Sequence, residues 1–410
     1  MKYIPRIELE KYFYHLPNER IAQFPLAERD QSKLLVYSAK EDTIEHTTFT
    51  EIANYLPENS VLIRNTTKVV PARIYLQKET GGVVEVFIVN PHLFMNEQSG
   101  CTVDCLLRGK NLQIDTVLRG TFGEGTHQIE LQATIVKKSD SVQTILLNWT
   151  PEQKTLSEII WAIGSMPLPP YMKRDTIEDD TERYQTVYAK EEGSVAAPTA
   201  GLHVTEAVLH SIAQKNIPIL DVMLHVGLGT FKPVEAKTID EHSMHSESLV
   251  ISKLCIENLL KFLQSDKQIV CIGTTSVRTI ESLYWFGVRL ILNDDDCSNT
   301  TTFSVQQWDP YRLSQKQESL PTAIESLSEI LIWMNKYSLE SVSGVTTLII
   351  IPSYDWKIVN GIITNYHQPG STLLLLIASF LGKNWEKVYK SALNESYRFL
   401  SYGDSSLLLR

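Results

Sequence analysis

Gln268-Ile-Val-Cys-Ile-Gly273-Thr-Thr-Ser-Val-Arg278-Thr-Ile-Glu281-Ser-Leu283 decides how the chain is read. A short apolar run of β-type residues meets a glycine, and a segment of helical spacing follows at once. That is a buried strand feeding a helix through a tight turn. The first amides of such a helix are free, and Thr274, Thr275, Ser276 and Arg278 stand at the same end. This set suits a phosphate or carboxylate; plain capping of the helix by Thr or Ser is the competing explanation. GxxxxGK[ST] is absent, so it is not a Walker loop.

The pattern recurs at three more places. Gly361-Ile-Ile-Thr-Asn365-Tyr-His367-Gln-Pro-Gly-Ser371-Thr is again strand, loop and helix, with Ser371 placed to cap the helix. It offers Asn365 and His367 at a strand's carboxyl end, where open α/β sheets bind ligands. Asp221-Val-Met-Leu-His225-Val-Gly227-Leu-Gly229-Thr-Phe-Lys-Pro233 is an apolar strand ending in His225, followed by two glycines. Gly193-Ser-Val-Ala-Ala-Pro-Thr199-Ala-Gly201-Leu-His203-Val-Thr205 crowds small residues and hydroxyls around His203. Such residues bury little surface and let the backbone approach a ligand closely. Three strand-end histidines together point to a site.

Strands feeding helices through polar loops predict an α/β fold with a large mixed or parallel, covered sheet. From Arg73 to about Leu147 the texture changes to alternating β-rich segments, such as Val83 to Val89 and Gln128 to Gln132, punctuated by glycines. This predicts a small antiparallel β-barrel inserted in the larger domain. The expected domains are therefore 1–72 with 156–410, and 73–155. The polar stretch 293–343, around a helix over 322–336, is expected to be a peripheral insertion.

Composition bounds the function. The 410 residues, 43% hydrophobic and 21% charged, are ordinary for a soluble protein of two or three domains. A net charge of -10 argues against wholesale binding of nucleic acid, while leaving room for a local basic patch. Cys101, Cys105, Cys255, Cys271 and Cys297 are too scattered for a disulfide framework. The opening MKYIPRIELEKY lacks the apolar core of a signal peptide, so a cytoplasmic location is expected. His242-Ser-Met-His245, with Glu247 close by, has the spacing of a metal pair, but an exposed loop is the commoner meaning of HxxH and no metal is expected.

Taken in order, many segments resemble the S-adenosylmethionine:tRNA ribosyltransferase-isomerase family of queuosine biosynthesis. They run from Leu16 to Gln23, Arg29 to Leu35, Asn65 to Arg73 and Gly82 to Glu85 in the first part. Pro167 to Tyr171, Glu182 to Tyr188 and Gly193 to Thr205 follow. Leu224 to Val234, His242 to Glu247, Gly273 to Thr279, Thr364 to Leu374 and Tyr397 to Asp404 complete the set. The chain departs from the family pattern at Thr66, Lys68, Val204 and Gln368.

The resemblance implies transfer of the ribosyl part of S-adenosylmethionine to the aminomethyl group of a 7-deazaguanine at the tRNA wobble position. The sugar isomerises, adenine and methionine leave, and no metal or permanently bound cofactor is needed. S-adenosylmethionine is the co-substrate, the anticodon region of tRNA the partner, and a monomer away from any membrane the expected form. Removing a proton beside the sulfonium and assisting the departing adenine are tasks for histidine. His203 and His367 are the first acid/base candidates, with His225 and Glu247 behind them. Arg278 and the amides of Thr274, Thr275 and Ser276 are assigned to methionine's carboxylate or a tRNA phosphate. Tyr171, Tyr184 and Tyr402 are assigned to the sulfonium or to base stacking. Thr199, Gly201, Gly227, Gly229, Asn365 and Arg73 complete the expected binding set. Two other readings stay open: a paralogue that uses another acceptor or only binds nucleotide or RNA, and a metal hydrolase built on His203, His225, His242 and His245.

Overall fold

The computed structural model describes residues 4–139, 142–227, 236–316 and 319–410. Gly229 lies outside them. Four parallel strands, Ile219–His225, Ser60–Asn65, Gln268–Ile272 and Val359–Asn365, form the centre of a ten-stranded sheet. Their sequences are nearly continuous apolar runs because both faces are covered. Cys271 pairs with Ile63 on one side and Ile362 on the other, and all three are fully buried.

The sheet is mixed beyond its centre. Ser405–Leu409 enters antiparallel beside Val359–Asn365, with Lys33–Ser38 and then Thr43–Thr48 outside it. On the other flank lie Glu247–Ser252, Ser341–Thr346 and Phe303–Val305. The 19-residue helix Thr274–Leu292 packs across the sheet and is buried almost all round. Gly287 lets the helix Ala323–Lys336 press against it: a Cβ there would lie 2.3 Å from the Ser326 carbonyl oxygen.

The stretch 293–343, read from its polarity as peripheral, is built into this core. Phe303, Val305, Leu313, Leu327, Ile330, Trp333 and Met334 all join the main apolar cluster. Its polar residues are also employed: Arg312 grips Asp294 with bonds of 2.8 and 2.6 Å, and Lys316 adds a third at 2.6 Å. The helix read over 322–336 is present as Ala323–Lys336, and it buries Leu327, Ile330, Trp333 and Met334 against this core, a placement its polar surroundings did not announce.

The barrel closes through six antiparallel strands, spanning Arg73–Lys78 to Gln143–Thr150. Alternate residues point inward, among them Ile74, Leu76, Val84, Val86, Ile145 and Leu147, all at most 1% exposed. The helix Leu156–Ile163 begins with a Thr155–Glu158 capping box and adds Leu156, Ile159 and Ile160 to the barrel's core. All five thiols are unpaired. No helix among the described residues is long and apolar enough to cross a membrane.

Candidate active site

Three of the strand-end segments meet over the carboxyl ends of the central strands. Ala196–Ala200, Gly273–Thr275 and Thr364–Gln368 line one cavity, joined by Val226, Tyr171, Ser371, Leu373, Leu400 and Ser401. It holds about 760 Å³ of empty space, its open mouth included. Gly273 makes the turn from strand to helix at φ 86°, a conformation a side chain would strain. No side chain caps this helix, so its first amides remain available beside the cavity. Three lining residues carry a buried polar atom without a partner: Thr275 Oγ1, Asn365 Oδ1 and the Tyr366 hydroxyl. Each is an atom that a bound water or ligand can satisfy.

His367 is the acid/base candidate that lines the cavity. Its ring nitrogens lie 3.3 Å from Thr364 Oγ1 and 3.2 Å from the Tyr389 hydroxyl. Hydroxyls both donate and accept, so either nitrogen can be released to a substrate. Tyr14 clamps the residue from far away in sequence by donating to its carbonyl.

His203 stands one layer behind. Its Nδ1 donates to the Arg29 carbonyl at 3.1 Å, which leaves Nε2 to accept from Asn365 Nδ2 at 3.2 Å. Both nitrogens are thus occupied, and the cavity sees Asn365 rather than the imidazole. His225 is farther aside, bonded through Nδ1 to Thr67 Oγ1 at 3.1 Å and stacked on His92 at 4.4 Å between ring centres.

Other expected site residues have structural duties. Glu247 and Arg278 form an ion pair behind the helix start, with Arg278 Nε also donating to the Leu348 carbonyl at 3.1 Å. Ser276 donates to the Ile272 carbonyl. Gly201 is needed because the Tyr188 hydroxyl would sit 2.0 Å from any Cβ. Tyr184 is packed beneath the site with Met172 and Leu202, and Tyr402 donates to Asp180. Arg73 faces Glu85 at the barrel's base. Gly227 is not on the cavity wall, whereas Thr199, Thr274, Thr275, Asn365 and Tyr171 are. Among the described residues no three His, Cys, Asp or Glu side chains gather as a metal set, so the four histidines of the hydrolase reading are not assembled.

Sequence reasoning passed over Thr364, Tyr366, Leu400 and Ser401. Ser401 was within reach, since it lies inside the aromatic and polar segment 397–404, and its hydroxyl bonds that of Tyr171. Tyr389 and Tyr14 gave no local signal.

Burial pulls three histidines far below their ordinary value: His367 to about 3, and His203 and His225 to about 4. The unfolded chain binds protons on them near pH 6.5, while the folded protein does not. Their neutral burial therefore supports the fold above about pH 6.5, and that support declines as pH falls toward 4. The urea midpoint is expected to drop steadily from pH 7 to pH 4.5; a flat profile would contradict these assignments.

A sheet with ligand-ready loops at its parallel strand ends, carrying an inserted barrel, defines an α/β enzyme-type scaffold with a small-molecule site at the strand termini. The chain belongs to the queuosine biosynthesis protein family, whose model matches residues 9–408. It is 35% identical over 404 residues to an S-adenosylmethionine:tRNA ribosyltransferase-isomerase of Thermotoga petrophila, covering 98% of this chain and 100% of that one. A relative of the same name in Thermosipho melanesiensis is 34% identical over 409 residues, with the same coverage. The crystal structure of S-adenosylmethionine tRNA ribosyltransferase from Thermotoga maritima aligns with 97% of this chain and 100% of its own, at 25% identity and a TM-score of 0.46.

Proposed function

We propose that this protein transfers and isomerises the ribosyl moiety of S-adenosylmethionine onto the 7-aminomethyl-7-deazaguanine at the tRNA wobble position, releasing adenine and methionine and giving epoxyqueuosine. The observation that carries the reading is the convergence of three strand-end loops on one cavity with an uncapped helix start and His367. Family membership supplies the reaction, and the cavity offers candidate groups for the methionine, the ribose and the proton beside the sulfonium.

The free amides at Thr274 and Thr275 suit methionine's carboxylate. Thr275 Oγ1, Asn365 Oδ1 and the Tyr366 hydroxyl are unmatched hydrogen-bonding atoms able to meet ribose hydroxyls or the edge of adenine. Tyr171, an aromatic lining residue, is the one we assign to the sulfonium. His367 is the group we assign to the proton beside the sulfonium, since it lines the cavity and burial keeps it neutral. His203 acts as a positioning residue by fixing Asn365. The reaction needs no resident cofactor or metal, and it takes place in the cytoplasm on a monomer.

Incubation with S-adenosylmethionine and tRNA bearing the aminomethyl base, followed by nucleoside mass spectrometry, is expected to show epoxyqueuosine. The same tRNA with guanine at that position is expected to stay unchanged. Modification of the guanine tRNA, or of neither, would sink the reading.

A further inference from the structure

A shallow pocket adjoins the first cavity, with about 280 Å³ of empty space, its open mouth included, and Ser401 on the wall of both. Arg29, Arg183 and Arg398 line it, with Tyr402, His203 and the loop residues Pro25 and Leu26. Three cations around one small space are unusual in a chain of net charge -10.

Their existing partners leave positive charge over. Arg29 Nη1 donates to the Gln185 carbonyl at 2.9 Å, and Arg183 donates to the carbonyls of Leu26 and Ala27. Carbonyls orient a guanidinium without neutralising it. Among the described residues neither Arg29 nor Arg183 forms an ion pair, and Arg183 Nε is buried without a partner. Arg398 alone meets a carboxylate, Asp404, at 3.3 Å. The neighbouring Asp180 is already held by Arg174 through two bonds of 2.7 Å. Burial and the nearby Arg183 charge lower Arg29 below its ordinary range, with Glu182 and Asp179 offsetting part of this. Like charges lining one pocket favour an anion between them.

We propose that the Arg29, Arg183 and Arg398 pocket holds a backbone phosphate of the substrate RNA, next to the nucleotide that enters the catalytic cavity. The proposal rests on the tRNA reading above. S-adenosylmethionine carries no phosphate, so a phosphodiester here comes from the RNA. Guanidinium forks match phosphate oxygens. Beside the pocket, Phe24 is 53% exposed with the Arg174 guanidinium 4.3 Å from its ring centre, a platform on which a flanking base can stack.

The test is binding of an anticodon stem-loop carrying the aminomethyl base, read by fluorescence anisotropy from about 50 to 200 mM salt. R183Q is expected to weaken binding about tenfold at the low-salt end and to reduce the log–log salt slope by about 0.7–0.9. R183K is expected to keep most of the slope, and S-adenosylmethionine affinity is expected to stay the same in both. Unchanged RNA affinity and slope in R183Q would overturn the proposal. So would a loss confined to S-adenosylmethionine, which would make this a carboxylate site. An Arg183-dependent slope in a wild-type protein that makes no epoxyqueuosine would uphold the phosphate pocket and defeat the proposed reaction instead.

Discussion

Replacing His367 by alanine is expected to lower kcat by about 10²–10⁴, the usual worth of a positioned acid or base, while changing S-adenosylmethionine affinity little. The ring lines the cavity, and its two partners are hydroxyls at 3.2 and 3.3 Å that can give way to a substrate. Because burial sets its value near 3, the profile of kcat above pH 5 should not follow its titration. His203→Ala is the comparison. That ring touches Asn365 and not the cavity, so its loss should act through the amide's orientation and cost less. Steady-state kinetics with both variants decides the assignment. A larger loss of kcat in H203A than in H367A would return the chemistry to His203.

Glu247→Gln is expected to cost about 3–5 kcal/mol of stability, the range for removing one partner of a buried ion pair. The Arg278 and Glu247 side chains are only 8% and 3% exposed, and they tie the helix Thr274–Leu292 to the strand Glu247–Ser252. Glutamine keeps the shape and removes the charge, leaving the guanidinium to the Leu348 carbonyl. Arg278 Nη2 already lacks a partner, so little is held in reserve. Urea unfolding gives the number directly. A loss under about 1 kcal/mol would show that the pair is dispensable packing.

These two outcomes divide the candidate site between chemistry and scaffold, a division that the amino-acid sequence blurred. The strand-to-helix segments at Gly273 and Asn365 were legible because each carries its strand, turn and helix within a dozen residues. The barrel was legible from alternation. Ser405–Leu409 was not: a five-residue terminal run gives no hint that it will sit inside the sheet between Val359–Asn365 and Lys33–Ser38. The place of His203 was hidden for a related reason. A histidine among glycines and alanines looks like a ligand residue until Arg29 arrives from 174 positions away to take its Nδ1. The same holds for Glu247 and Arg278, whose types suggest a site and whose pairing makes them scaffold. Local pattern announces where strands end; which side chains then face one cavity depends on distant partners, such as Tyr14 on His367.

The most direct test of the central claim is release of adenine from S-adenosylmethionine by the purified protein, in EDTA, with either modified or unmodified tRNA. Adenine is expected to be released with tRNA bearing the aminomethyl-deazaguanine and not with guanine at that position. Adenine released equally with both tRNAs, or with neither, would contradict it.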